Sequence, residues 1–210
     1  IPPTATAVPT PTPTAIPPTT TPIPTPTPTA VPTPTPTPEP SSFFLTWGSN
    51  GSGDGQFQDP NGIAIGGGGN AIYITDRNNH RVQKFDSSGN FIISWGSNGS
   101  GDGQFFEPQG IAVDSSGTVY VVDGANHRIQ KFAADGSFIS SWGSNGAGDG
   151  QFVDPNGIAI DEGNSIYITD RNNHRVQKFD SSGNFNFSWG NRGSGDGQFF
   201  EPHGVAVDSS

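Results

Sequence analysis

The run Asp-Arg-Asn-Asn-His-Arg-Val-Gln-Lys-Phe occupies residues 76–85, and near-copies of it occupy residues 123–132 and 170–179. The copies recur every 47 residues. A fixed period of this length is the signature of a repeat architecture in which each copy is one structural unit. A residue that recurs in every unit is therefore a candidate for the scaffold before it is a candidate for catalysis. The same spacing, to within one residue, separates Trp47, Trp95, Trp142 and Trp189.

Each unit contains four short segments with β-strand character, which are clearest in the second unit. Gly110–Asp114 and Thr118–Asp123 are apolar or β-branched runs separated by a Ser-Ser-Gly turn signal. Arg128–Phe132 follows a short loop, and an Ala-Asp-Gly turn leads into Phe138–Trp142. The pattern predicts an antiparallel four-stranded sheet in each unit. Because the first two strands are continuously apolar, we expect both faces of the sheet to be covered, as when sheets stack around an axis.

Three pieces of the second unit carry a family resemblance. They are Pro108-Gln-Gly-Ile-Ala-Val-Asp114, Val119-Tyr-Val-Val-Asp123 and Asn126-His-Arg-Ile-Gln-Lys-Phe132. The unit resembles the NHL repeat of the β-propeller family, and the resemblance recurs in register over residues 43–210. It implies an all-β, NHL-type β-propeller, which in this family closes with about six blades.

The chain holds three complete units, at about residues 60–96, 108–143 and 155–190, and a partial fourth from residue 202. We expect Phe43–Trp47 to be an outer strand and Gly204–Asp208 an inner strand, each without the rest of its blade. A coarser repeat is superimposed, because units one and three share Asp-Pro-Asn-Gly-Ile-Ala-Ile whereas the other two share Phe-Phe-Glu-Pro. We therefore expect residue 210 to be a cut within a duplicated block, and Ile1 to follow a processed or cropped start.

Residues 1–42 differ sharply in composition from the repeats. The first 40 residues hold 16 of the 20 prolines, 14 threonines and a single charge, Glu39. Proline fixes φ and pushes its predecessor toward extended geometry, which predicts a polyproline II stalk. Such Thr/Pro tracts are typical of O-glycosylated, mucin-like stalks of extracellular or cell-surface proteins, although a bare spacer is the alternative. The candidate acceptors are Thr4, Thr6, Thr10, Thr12, Thr14, Thr19, Thr20, Thr21, Thr25, Thr27, Thr29, Thr33, Thr35 and Thr37.

Composition excludes several classes of function. The net charge is −10, and nine Lys and Arg residues are spread through the repeats, so no basic patch for nucleic acid is expected. There is no cysteine, which excludes disulfides. No apolar run approaches the ~20 residues of a membrane span.

The loop between blades has the spacing of a calcium loop. In Asn50-Gly-Ser-Gly-Asp54-Gly55, oxygen-bearing side chains stand at positions 1, 3 and 5 and glycine stands at position 6. The ligands are poor, because Arg192 replaces the first of them in the last copy and no glutamate follows at position 12. A structural glycine-rich turn is the favoured interpretation, with weak calcium binding as the alternative.

The repeated Asp and His residues have two interpretations as well. Asp76, Asp123 and Asp170 each stand four residues before a histidine, as an acid/base pair would require. Their recurrence in every unit instead predicts that the aspartate accepts hydrogen bonds from the following loop.

The positions that break the repeat are the informative ones. The residue between Pro and Gly, at the rim near the axis, is the candidate for binding a small ligand or a metal, with drift between repeats as the alternative. These residues are Asn61, Gln109, Asn156 and His203. Arg77 and Arg171 alternate with Gly124 on the same side of the blades.

The sequence favours a non-enzymatic extracellular glycoprotein whose propeller packs or adheres. We expect it to self-associate into homo-oligomers or fibres, with the stalk in the interface and without catalytic residues or a cofactor. A ligand-binding sensor propeller is the second hypothesis. The resemblance also includes lyases and lactonase-like hydrolases with a metal in the central channel, but these need unrepeated His and Glu at the axis, and here only His203 qualifies.

Overall fold

The structure, a computed structural model, describes residues 45–208. The predicted polyproline II stalk at residues 1–42, with its threonine acceptors, lies outside the described residues, as do Phe43 and Phe44. In the described part of the chain, no helix is long and apolar enough to cross a membrane.

The described chain is built of three four-stranded antiparallel sheets, each paired in chain order. A short parallel pair precedes them, formed by β1 (Ser49–Asn50) and β2 (Gln56–Phe57). The first blade contains β3 (Pro60–Gly66), β4 (Ala71–Asp76), β5 (Arg81–Asp86) and β6 (Phe91–Trp95). The second contains β7 (Pro108–Val113), β8 (Val119–Asp123), β9 (Arg128–Phe132) and β10 (Phe138–Trp142). The third contains β11 (Pro155–Ile160), β12 (Ile166–Asp170), β13 (Arg175–Phe179) and β14 (Phe185–Trp189). Short 3-10 turns lie at Gly67–Gly69, Arg77–Asn79, Gly124–Asn126 and Arg171–Asn173. The all-β fold with four antiparallel strands in each unit is confirmed.

The turn between the second and third strands has the same conformation in every blade. It closes on His80, His127 or His174, whose φ values are 54°, 56° and 55°. Histidine is among the residues that tolerate this left-handed region, and the cap N–H of each one bonds back into the turn. The recurring turn therefore gives the polar loop the same orientation in all three blades.

The hydrophobic core lies between the blades. One cluster joins Tyr73 and Val82 of the first blade to Ile111 and Phe132 of the second, and an equivalent cluster joins the second blade to the third. Three of the four tryptophans pack on a phenylalanine of the following unit, with ring centroids 6.2 Å apart for Trp47–Phe85, 5.9 Å for Trp95–Phe132 and 6.1 Å for Trp142–Phe179. A blade therefore completes its core only when a neighbour is present.

The inner strands approach each other closely around the axis. A Cβ atom on Gly62 would lie 2.6 Å from the carbonyl oxygen of Gln109, and one on Gly110 would lie 2.6 Å from that of Asn156. Neither backbone could move away without opening the junction between blades. Packing therefore requires glycine at positions 62 and 110.

Two predicted strands are absent from the described residues. Leu45–Trp47, the described part of the expected outer strand, and Gly204–Asp208, the expected inner strand, have no strand assignment. The reason is that a strand needs a hydrogen-bonding neighbour, and the middle strands of their blades do not occur in this stretch. Both segments still sit in the place of the element they resemble, because Trp47 packs on Phe85 and the carbonyl of His203 accepts a hydrogen bond from Thr169 at 2.9 Å.

The prediction of double-sided burial is right for the second blade and wrong for the inner strand of the first. Every residue of β8 is buried. In β3, by contrast, Ile63 is 64% exposed and Ile65 is 67% exposed. No described blade precedes β3, so its outer side is uncovered.

Candidate functional site

A buried aspartate organises the polar end of each blade. In the second blade, Asp123 is fully buried and accepts hydrogen bonds from Nε of Arg128 at 2.8 Å and Nε2 of Gln130 at 3.0 Å. Nδ2 of Asn126 donates to both carboxylate oxygens at 3.0 Å, and the backbone N–H of Phe106 donates at 2.8 Å. A charge that leaves water needs such partners, and this hub supplies them.

The hub recurs in the first and third blades around Asp76 and Asp170, with the same partner types at closely similar distances. The prediction that the aspartate holds the following loop is confirmed. The histidine of the motif bonds to the next unit and not to the aspartate, since Nδ1 of His80 accepts a hydrogen bond from the backbone N–H of Glu107 at 3.2 Å. The geometry therefore favours the scaffold over an Asp–His acid/base pair.

The glycine loop between blades is closed by protein groups. The carbonyl of Gly51 accepts from Nδ2 of Asn79 at 2.9 Å, and that of Gly53 accepts from a guanidinium nitrogen of Arg81 at 2.7 Å. Oε1 of Gln56 accepts the N–H of Gly53 at 3.0 Å. The described residues contain no group of three or more His, Asp or Glu side chains placed to hold a metal ion. A guanidinium aimed at the loop oxygens supports the structural interpretation over the calcium alternative.

Three of the four predicted rim residues meet in one place. Asn61, Asn156 and His203 line a shallow cleft of about 340 Å³ at the axis, together with glycines and apolar residues of the inner strands. Asn61 and His203 are exposed and Asn156 is half-buried. The cleft offers amide and imidazole groups to a polar ligand, and the binding role of these residues stays a prediction.

The fourth rim residue, Gln109, is buried instead. Its side chain occupies the space above Gly124, where an added Cβ would lie 2.7 Å from Cγ of Gln109. Oε1 of Gln109 lies 3.4 Å from Nδ2 of Asn156, which donates to it. Gln109 therefore packs the junction between the second and third blades and does not line the cleft.

A bridge between blades was missed by the sequence reasoning. Arg77 binds Asp59 of its own unit at 2.9 Å and Glu107 of the next at 2.5 Å, and the hydrogen bond to Glu107 raises the pKa of the Arg77 guanidinium. Arg171 makes the same bridge to Asp154 and Glu201, at 2.7 and 2.9 Å. The available signal was the alternation itself, because arginine and glycine alternate in step with the Asp-Pro and Glu-Pro pairs.

The model of the NHL repeat matches residues 57–85, 105–132 and 152–179, which are the segments that hold the three aspartate hubs. These three segments are similar to NHL repeats. Together with the three sheets stacked through shared cores, these matches support a propeller-like fold for the described part of the chain. No curated protein sequence matches the chain.

Solved structures with the same fold support this architecture. A streptogramin B lyase is 17% identical, with a TM-score of 0.52, over 70% of this chain and 44% of that one. A protein of unknown function from Bacteroides thetaiotaomicron is 18% identical, with a TM-score of 0.58, over 71% and 42%. Kuenenia stuttgartiensis hydrazine synthase is 15% identical, with a TM-score of 0.54, over 74% and 42%. The chain thus spans less than half the length of these proteins, and at such identities the likeness concerns the fold.

Proposed function

We propose that the chain is a non-enzymatic extracellular or cell-surface glycoprotein whose NHL blades act as a packing or adhesion module. The observation that carries this proposal is the pair of uncovered apolar ends. At one end Ile63 and Ile65 are exposed, and at the other Phe187 and Trp189 are 52% and 38% exposed. Such apolar patches mark interaction surfaces on soluble proteins. Assembly with copies of the chain into oligomers or fibres follows as the expected use.

The hydrogen bonds of the repeated aspartate and histidine side chains support a role without catalysis. The buried aspartates and the three repeated histidines are engaged in the same hydrogen bonds in each blade. We expect a catalytic site to use groups that do not recur in every blade. The repeated aspartates, histidines and arginines are engaged in structural hydrogen bonds, so His203 is the unrepeated histidine at the rim. The likeness to a lyase is a likeness of fold, so a propeller lyase or hydrolase with a central-channel metal is the less supported alternative.

Sedimentation of the chain at micromolar concentration tests the assembly. An end-face variant carries Ile63→Asp, Ile65→Asp and Phe187→Asp, and its matched control carries Ile92→Asp, Ile93→Asp and Ile139→Asp on exposed outer strands. We expect the parent and the control to form oligomers and the end-face variant to be monomeric. A monomeric parent, or an end-face variant that assembles like the control, would contradict the proposal.

The extracellular placement rests on the composition of residues 1–40. Alternating threonine and proline, with Glu39 as the single charge, suits O-glycosylation, and glycans would add mass to the native peptide. Peptide mass spectrometry of material from the native source should show added hexose or N-acetylhexosamine on threonines between Thr4 and Thr37. An unmodified mass for this segment would refute this part of the proposal.

A second candidate function is supported by the axial cleft. Amide and imidazole groups of Asn61, Asn156 and His203 converge there, as they do in sites for small polar ligands. If the propeller is a sensor, a screen of polar metabolites by thermal shift should yield a ligand that stabilises the parent but not Asn156→Ala. A screen without such a ligand would leave the packing module as the better account.

A further inference from the structure

The chain contains two kinds of junction between blades. The first and third blades are called odd-type here, and the second blade and the partial fourth unit are called even-type. Odd-type units carry Thr and Arg where the even-type second blade carries Val122 and Gly124. The difference falls on the side of each blade that meets the next one.

The odd-to-even junction is polar. Between the first and second blades, Arg77 bridges to Glu107, and Oγ1 of Thr75 donates to the carbonyl of Gln109 at 2.6 Å. His80 also packs on the ring of Phe106, with centroids 5.6 Å apart. The same three contacts recur after the third blade, between Arg171 and Glu201, Thr169 and His203, and His174 and Phe200.

The even-to-odd junction, seen between the second and third blades, is packed differently. Val122 is fully buried, and the Gln109 side chain lies over Gly124. A Cβ on Gly124 would also lie 3.2 Å from the carbonyl of Pro155. An arginine at this position would therefore have to displace Gln109 and push against the backbone of the next inner strand.

The uncovered side of the first blade is the same surface that this junction covers in the third. We call it the front face; it consists of the outward side of Pro60–Ile65 with Ile74, which is paired with Ile63. Its sequence Asp-Pro-Asn-Gly-Ile-Ala-Ile at residues 59–65 is identical to that at residues 154–160. Ile158 is 9% exposed beneath the second blade, whereas the equivalent Ile63 is 64% exposed.

We propose that the front face is a docking surface for the three inner strands of an even-type NHL blade, with Leu45–Trp47 already in the place of the fourth. The occupant is defined by what covers the identical strand in the third blade, namely the Ala112, Tyr120 and Val122 side of an even-type unit. The tryptophan of that unit, Trp142, already has its counterpart at the front face, because Trp47 packs on Phe85 as Trp142 packs on Phe179. The proposal deepens the packing function proposed above by naming the partner surface. It predicts selectivity, because an odd-type blade brings Thr and Arg to positions where the front face meets Val and Gly.

The free end of the described chain does not offer this partner. The third blade is odd-type, and its outer side already holds the even-type segment Phe199–Asp208 through Glu201 and His203. That segment lacks the middle strands that carry Tyr120 and Val122 in the second blade. A partner for the front face must therefore bring those strands.

Two extensions of the full chain test the proposal. Asp208-Ser-Ser210 matches Asp114-Ser-Ser116, so a copy of residues 117–134 appended after Ser210 supplies the two middle strands of an even-type fourth blade and leaves the place of the outer strand to Leu45–Trp47 of another copy. Residues 164–181 occupy the same place in the third unit, so their copy gives matched odd-type middle strands from natural sequence. The even-extended chain then offers an even-type side to the front face of another copy.

We expect head-to-tail association of the even-extended chain to be at least tenfold tighter than that of the odd-extended chain, measured by sedimentation equilibrium. Ile63→Asp with Ile65→Asp should abolish the difference, while circular dichroism confirms that each extended chain is folded. Equal affinities, or a difference that survives the front-face variant, would overturn the inference. Failure of the parent chain to assemble would count against the proposed function alone, since the inference depends on the difference between the extensions.

Discussion

The first and third blades begin with the same seven residues, yet they differ in what covers them. Residues 154–160 lie under the second blade and residues 59–65 face solvent, so Ile158 is buried where Ile63 is exposed. The difference teaches that a blade specifies its strands and polar hub by itself, whereas its apolar core belongs to the junction with a neighbour. This is the nearest-neighbour behaviour expected of repeat proteins.

The largest expected loss of unfolding free energy comes from the buried aspartate hub, which the blades share. Asp123→Ala leaves Arg128, Gln130 and Asn126 without their carboxylate, and we expect a loss of about 3–5 kcal/mol in unfolding free energy. Because the hub is internal to its unit, Asp76→Ala in the first blade should cost a similar amount. Urea unfolding of both variants, with the exposed Asp149→Ala as control, checks this, and a much smaller loss for Asp76→Ala would show that the hub too depends on neighbours.

Truncation of the equivalent isoleucines, Ile158 and Ile63, should affect the stability of the two blades differently. Ile158→Ala opens a cavity beneath the second blade and should cost about 2–4 kcal/mol. Ile63→Ala removes the same atoms from an exposed surface and should change the unfolding free energy by less than about 0.5 kcal/mol in the monomer. Urea unfolding at a concentration without assembly measures both, and equal losses would contradict the assignment of the core to the junction.

The junction between the second and third blades should resist added volume. Gly124→Ala places a Cβ against Cγ of Gln109 and should cost about 1–3 kcal/mol. Adding Gln109→Ala should recover part of that loss in a double-mutant cycle. Additive losses for Gly124→Ala and Gln109→Ala would contradict the packing described.

At the odd-to-even junction, Arg77→Ala removes a partly exposed salt bridge. The variant should lose less than about 1 kcal/mol of unfolding free energy, and the loss should shrink at high salt.

The buried tyrosine of the second blade predicts a pH dependence. Burial, with the charge of Asp114 and the hydrogen bond to it, raises the pKa of Tyr120 to about 12. The unfolded chain ionises its tyrosines near pH 10, so the contribution of Tyr120 is complete below about pH 10 and is lost as the pH rises toward about 12. Unfolding free energies measured over this range should fall, and should fall less in Tyr120→Phe. An equal decline in both proteins would remove Tyr120 as the cause.

The smallest effect is expected at the rim. His203 is exposed, and its backbone carbonyl makes the contact to Thr169, so His203→Ala should leave stability and assembly unchanged. Metal analysis of the parent and the variant provides the contrary case. A stoichiometric Zn²⁺ that is lost in His203→Ala would favour a metal-dependent propeller enzyme.

The sequence predicted what is local and repeated. Four strands in each unit, the turn at His127 and the role of Asp123 all follow from short-range patterns. It did not predict that Gln109 leaves the rim, because that depends on the space left by a glycine in another strand. The strand expected at Gly204–Asp208 failed for a related reason, since periodicity indicates where a strand can form but pairing decides whether it does. The sequence did not predict the Arg77–Glu107 bridge, because the two residues lie in different units. Their relation shows only when the alternation at both positions is compared across successive units.

Hydrogen exchange by NMR tests the central claim most directly, namely that a blade's inner strand is protected by the neighbouring blade. Residues 59–65 and 154–160 have the same sequence, so intrinsic exchange rates within the two runs nearly match, and any difference reports the structure around them. In the monomer, we predict that the amides of Ile63–Ile65 exchange at least tenfold faster than those of Ile158–Ile160. Equal protection of the two strands would contradict the account.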